Sequence, residues 1–223
     1  MTASLSAEQV AQYLCDNPSF FEAHADMLAS ITVPHPHGGR AVSLVERQVD
    51  ILRDKNKALE MRLAELLRLG RENDAINDKL QRWTRELLRA RSLQDVPALV
   101  TEGMLEEFAV PHVAMRLWRV DPSLGGLACA QPVEPEVIAL ADSVKQPYCG
   151  PNADFKAATW LPGGGSETRS IALLPLRVGA APESFGLLVL GSPDPGRFQV
   201  GMGTAFLERI AEVASAALSR LAA

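Results

Sequence analysis

Between residues 43 and 92 the chain is charged and free of proline, and an apolar residue returns at nearly every seventh position. Val45, Leu52, Leu59, Leu66, Leu80 and Leu87 hold one phase, with Asn73 the polar member of the series. A repeat of this kind predicts a long helix with one apolar seam that asks for a partner helix. The second apolar position follows four residues after the first at Val49, Asn56 and Leu63, but three after it at Leu69, Ile76, Trp83 and Ala90. The register therefore slips near Gly70, which is the expected break. Asn56 and Asn73 lower stability in such a seam while favouring one register and two strands, so the pattern predicts a parallel homodimer. The competing reading is an amphipathic helix lying on its own domain, because the heptad and the 3.6-residue period diverge slowly over this length.

On the N-terminal side, Ser6 and Gln9 form a capping box that opens a short helix with Val10, Tyr13 and Leu14 on its apolar face. Asn17-Pro18 ends it, and helical spacing of Phe20, Phe21, His24, Met27 and Leu28 predicts a second helix over 19–30, packed on the first. A proline- and glycine-rich turn over 33–39 precedes a second capping box, Ser43 with Glu46.

On the C-terminal side, Ser92 or Asp95 caps a helix to Phe108, with Leu99, Leu105 and Phe108 buried. Alternation over 112–120 predicts a strand, and Gly125-Gly126 turns the chain into a second strand at 127–130. A helix over 134–145 and a long loop over 146–167 follow. Strands at 169–178 and 184–191 and a helix over 199–221 complete the pattern. The expected class is α+β: a short helical cap (1–39), a coiled-coil helix (40–92), and an antiparallel sheet flanked by helices (93–223).

Charge divides the chain in the same way. Residues 1–39 hold no Lys or Arg, 40–92 hold thirteen basic residues against nine acids, and 93–223 hold nine against fourteen. An acidic chain with one basic rod is not built for bulk nucleic-acid binding. No apolar run reaches membrane-spanning length, and no basic residue precedes Arg40 to lead a secretory signal. Cys15, Cys129 and Cys149 lack a paired CxxC spacing and are expected as free thiols in the cytoplasm.

The segments NPSFF (17–21), PHPHGGRAVSLVERQ (34–48) and LRDKN (52–56) closely resemble the bacterial family called domain of unknown function 484, and the likeness runs on to the C-terminus. SIALLPLRV (170–178) and SFGLLVLGSPDPGRFQVGMGTAFLERIAEVASAAL (184–218) resemble the closing half of a GAF domain. The resemblance implies a GAF-like domain behind a helical region, commonly dimerised through its end helices, and no established activity. The NKFDE signature of cyclic-nucleotide-binding GAF domains and the cysteine context of tetrapyrrole-binding ones are not visible, so neither cofactor is expected.

Local chemistry is sparse. Gly163-Gly164-Gly165-Ser166 lacks the lysine of a phosphate loop and reads as a turn. His35 and His37 stand in a proline-rich turn without carboxylates or paired thiols and read as structural, so no metal is expected. Lys79, Arg82, Arg85 and Arg89 form a basic stripe beside Trp83, read as a solvated face paired with Asp78 and Glu86. No catalytic motif stands out, and no enzymatic activity is expected.

The ligand candidates are Arg116 and Trp118 on one strand face, with Tyr148, Phe155 and Trp160 in the long loop. A guanidinium among aromatics suits a small planar or anionic molecule; the alternative is that the rings fill the core. The sequence thus predicts a non-catalytic dimeric sensor that relays an unidentified small ligand through a coiled coil to an unidentified protein partner. A scaffold without ligand, recruiting a partner acting on DNA, is the alternative reading.

Overall fold

The computed structural model describes residues 5–33, 42–121, 125–179, 181–201 and 203–222. They divide into two compact units, 1–72 and 73–223.

In the first unit, helix α1 (Ala7–Asp16) opens with the expected capping box: the Gln9 N–H donates to Ser6 Oγ at 3.2 Å, and the Ser6 N–H to Gln9 Oε1 at 3.0 Å. The helix expected over 19–30 is two pieces, α2 (Ser19–Ala23) and α3 (Ala25–Ser30), because His24 leaves helical geometry at ψ 36° while its ring lies 4.6 Å from that of Phe20. No residue of α1 or α2 is buried, and Val10 and Tyr13 remain exposed rather than packed between the helices. A two-residue ladder pairs β1 (Thr32–Val33) with β2 (Val42–Ser43) and has no signal in the sequence. His35 and His37 lie outside the described residues, as do the side chains of Val45 and of the Ser43–Glu46 capping box.

Helix α4 (Leu44–Leu88) then runs for 45 residues. The break expected near Gly70 does not occur as an interruption: a lone exposed glycine costs a helix only about 1 kcal/mol, which the neighbouring turns absorb. Arg68 holds Glu65 at 2.7 Å and also pairs with Glu72 along its surface. From Val49 to Leu69 the seam is solvent-exposed, with Leu59 60% and Leu66 65% accessible, and Asn56 and Asn73 are exposed as well.

The last turns of α4 belong to the second unit. Trp83 and Leu87, expected in a dimer seam, are 1% and 7% accessible and lie in the core of their own domain, with Leu80 and Ala90 packed beside them. That is a correction: from here on the apolar stripe is satisfied within the chain. Ser92 Oγ accepts the Gln94 N–H at 3.2 Å and starts a 3-10 turn leading into α5 (Val96–Glu106). Helix α5 buries Val96, Val100 and Met104, whereas Leu105, expected inside, is 44% accessible.

Strand β3 (His112–Leu117) alternates as predicted, and the chain turns out of it at Arg119, φ 60°. The strand expected at 127–130 is instead a 3-10 turn, Ala128–Ala130, since this small-residue run lacks the branched side chains that hold a strand. Helix α6 (Pro135–Ser143) is followed by β4 (Tyr148–Pro151), a strand inside the presumed loop; its glycine and terminal proline are tolerated at a sheet edge. Strands β5 (Ser170–Arg177) and β6 (Ser184–Ser192) precede α7 (Ala205–Leu218).

The four strands form one antiparallel sheet in the order β3-β6-β5-β4. Both faces are covered. Ala172, Leu174, Leu188 and Leu190 face α5, α7 and the end of α4, while Ile171, Leu173, Leu187 and Val189 face α6 and the segment around Ala157 and Leu161. Burial on both faces explains why β5 and β6 read as nearly continuous apolar runs.

Candidate functional site

The five candidate residues separate into three settings. Arg116 leaves β3 on the α6 side of the sheet, and its guanidinium carbon stands 4.9 Å from the centre of the Trp160 ring. Its Nη1 donates to the Pro132 carbonyl at 3.1 Å. Trp160 ends a 3-10 turn, Lys156–Trp160, anchored by buried Ala157 and Ala158. Lys156 ties that turn to the start of α6 through Glu136 at 2.6 Å and Glu134 at 3.2 Å, and the hydrogen bond to Glu136, then that to Glu134, hold its ammonium above the ordinary lysine range.

Trp118 is buried, and its Nε1 donates to the Ser184 carbonyl at 2.7 Å. It packs with Val137, Ile171 and Leu187, filling the sheet face where a pocket beside Arg116 was expected. Tyr148 and Phe155 meet edge to face at 5.2 Å. Phe155 borders a smaller cavity of about 310 Å³ with Asn152 and Ser166.

Arg116 and Trp160 do share a cleft, of about 550 Å³, and Trp118 is not part of it. The remaining wall comes from the 3-10 turn before α5 (Gln94) and α5 itself (Thr101), from the edge of β3 (Val113, Met115) and from the 127–131 segment (Cys129, Gln131). Gln94, Thr101 and Gln131 carry no signal in the sequence, because they reach the cleft from elements far apart along the chain. Cys129 is buried, and burial pushes its thiol above the ordinary range, partly opposed by a backbone hydrogen bond. Cys149 is raised by burial in the same way, and all three cysteines are free.

The glycine run forms a closed turn. Gly163, Gly164 and Gly165 adopt φ 65°, 65° and 76°, a left-handed conformation open to glycine at little cost. The basic stripe is partly neutralised within the chain: Arg82 pairs with Glu107 at 3.0 Å and Arg89 with Glu86 at 3.2 Å. The Arg85 Nε donates to the Gln81 carbonyl. The partner of Arg82 comes from the end of α5, not from Asp78. Among the described residues no group of three or more His, Cys, Asp or Glu could hold a metal ion, and no helix is long and apolar enough to cross a membrane.

The chain is 26% identical over 215 residues to an uncharacterized protein, YigA, of Salmonella typhimurium, a match spanning 93% of this chain and 88% of that one. Among solved structures it is similar to the GAF domain of an Acinetobacter phosphoenolpyruvate-protein phosphotransferase, with 17% identity and a TM-score of 0.46 over 64% of this chain and 92% of that one. The GAF domain of a putative sensor histidine kinase from Pseudomonas syringae pv. tomato gives 20% identity and a TM-score of 0.45 over 69% and 91%. A free methionine-R-sulfoxide reductase from Neisseria meningitidis, solved with its substrate, gives 18% and 0.45 over 65% and 88%. The model of the family described as "Protein of unknown function, DUF484" matches residues 1–223, and the chain belongs to that family.

Proposed function

We propose that this protein is a regulatory homodimer whose C-terminal domain holds a small anionic molecule in the cleft between Arg116 and Trp160 and signals its presence to a protein partner through α4. The observation that carries the reading is Arg116 itself. Among the described residues its guanidinium meets one carbonyl and one aromatic face but no carboxylate, so a positive charge is held over a ring in the lining of a cleft. A cleft of about 550 Å³ lies within the roughly 300–1,000 Å³ range of small-molecule sites. The exposed seam from Val49 to Ile76 is where a second copy would pack.

The test is to pass a metabolite extract over immobilised wild-type protein and the Arg116→Ala and Trp160→Ala variants, and to identify what each retains. An acid enriched on wild type and lost from both variants supports the reading; identical profiles overturn it. The relay is tested separately, by spin labels at Leu63 in both copies, whose separation must change when that acid is added.

A second reading has its own support. Trp118 and its neighbours fill the sheet face beside α6, and α1 and α2 bury nothing, as in a scaffold whose helices are for recruitment. Dimerisation without any retained small molecule would favour it.

A further inference from the structure

We infer that the cleft takes an N-acyl α-amino acid, bound as a single added residue of strand on the free edge of β3. This rests on the cleft being the ligand site proposed above, and adds which chemical class fits it.

Among the described residues the sheet order leaves β3 paired on one side only, with β6. The register opposes Leu117 to Gly186 and therefore Trp118 to Phe185, and the Trp118 N–H donates to the Phe185 carbonyl at 2.8 Å. Opposed residues in an antiparallel pair alternate between exchanging hydrogen bonds and not exchanging them. Trp118, Arg116 and Ala114 thus turn their backbone groups toward β6, while Leu117, Met115 and Val113 turn theirs away. The cleft touches Val113, Ala114, Met115 and Arg116 in succession. Consecutive strand residues point to opposite faces, so a cavity bordered by all four runs along the edge rather than over a face. It lies on the side where the Met115 N–H and carbonyl have no strand to bond.

An extended residue offers its N–H and its carbonyl side by side on one edge, and the matching ligand offers an acceptor and a donor in the same arrangement. An N-acyl amino acid does so: its amide N–H donates to the Met115 carbonyl, and a carboxylate oxygen accepts from the Met115 N–H. The carboxylate also supplies the negative charge that Arg116 lacks, through charge-assisted bonds stronger than neutral ones. Trp160 offers a face to the acyl group or side chain. A longer peptide fits less well, because the 127–131 segment borders the same cleft. The cavity of about 540 Å³ beside α7 has an arginine too, but Arg177 Nη2 already donates to the Ala141, Asp142 and Val144 carbonyls.

The test titrates the full-length protein with N-acetyl-leucine and with three analogues that each remove one element. N-acetyl-leucinamide has no charge, N-acetyl-N-methyl-leucine has no donor, and 4-methylpentanoate has no amide. Each analogue is expected to bind at least about tenfold more weakly, and N-acetyl-leucine to slow hydrogen exchange of the Met115 amide by a similar factor. Arg116→Gln is expected to reduce affinity by about tenfold or more with an unchanged amide spectrum elsewhere. Should 4-methylpentanoate bind as tightly, or Met115 stay unprotected on binding, the strand-edge assignment is overturned while the cleft remains a ligand site. If none of the four acts on Arg116 or Met115 and the extract yields no acid, both readings fall.

Discussion

The indole of Trp83, near the end of α4, lies directly against Gly103 of α5, so closely that a β-carbon at position 103 would overlap its five-membered ring. The Trp83 Nε1 donates to the Leu99 carbonyl at 3.3 Å, and Phe108 meets the indole edge-on at 5.8 Å, so the ring has nowhere to retreat. One glycine thereby admits the largest side chain of the long helix into the domain core.

Gly103→Ala is therefore expected to destabilise the protein although it improves helix propensity. Overpacking costs about 1–3 kcal/mol and the backbone gain is about 0.5–1 kcal/mol, and an overlap this deep belongs at the upper end of the first range, leaving a loss of about 2 kcal/mol. Gly70→Ala, in the same kind of helix with open space around it, is expected to stabilise by about 0.5–1 kcal/mol. Urea unfolding of the two variants should move the midpoint in opposite directions; a shift of the same sign would contradict the packing of Trp83.

The exposed part of the α4 seam leads to a different expectation. Leu59→Asp with Leu66→Asp places charges where a second copy would pack, yet both positions are more than half exposed in the single chain. Sedimentation should show the double variant as a monomer under conditions where the wild type is a dimer, with the near-ultraviolet signal of Trp83 and Trp118 unchanged. A wild type that sediments as a monomer would remove the dimer from the proposal.

Asp142, in the last turn of α6, gathers the start of β6. Its Oδ1 accepts both the N–H and the hydroxyl of Ser184, each at 2.6 Å. Burial pushes the carboxyl up, but the hydrogen bonds from Ser184, then the charges of Arg119 and Arg177, outweigh it and hold the group below its ordinary value. A carboxyl whose folded value is depressed stabilises the fold above its unfolded pKa of about 3.9 and loses that contribution as pH falls through the folded value. Asp142→Ala should cost about 1–3 kcal/mol at neutral pH by leaving the Ser184 N–H unpaired, and the gap to wild type should narrow below about pH 4. A gap independent of pH would mean that the carboxylate charge has no part in it.

The glycine turn offers a paired comparison. Gly164 and Gly165 share a left-handed backbone, but a β-carbon at 164 meets nothing within 4 Å, whereas one at 165 would stand 2.5 Å from the Ala158 carbonyl oxygen. Gly164→Ala should cost about 1–2 kcal/mol from conformation alone. Gly165→Ala should cost clearly more and disturb the turn that carries Trp160, read as a change in tryptophan emission. Equal costs would show that the Ala158 carbonyl yields freely.

Strands β3, β5 and β6 and helix α7 were legible because their apolar periods are strong and local: each must turn its apolar residues inward whatever else the chain does. The capping box at Ser6 was legible for the same reason, since both partners lie within one turn. What the sequence left open was the destination of each surface. A tryptophan on a helical stripe looks alike whether it meets a second chain or its own α5, and only the space left by Gly103 decided that Trp83 turns inward. Strand β4 was hidden because four residues with a glycine and a proline form a strand only when β5 is there to pair with. The cleft was hidden in the same sense: Arg116 and Trp160 stand out as residue types, but Gln94, Thr101 and Gln131 join them only once the edge of β3, α5 with the turn before it, and the 127–131 segment have packed together.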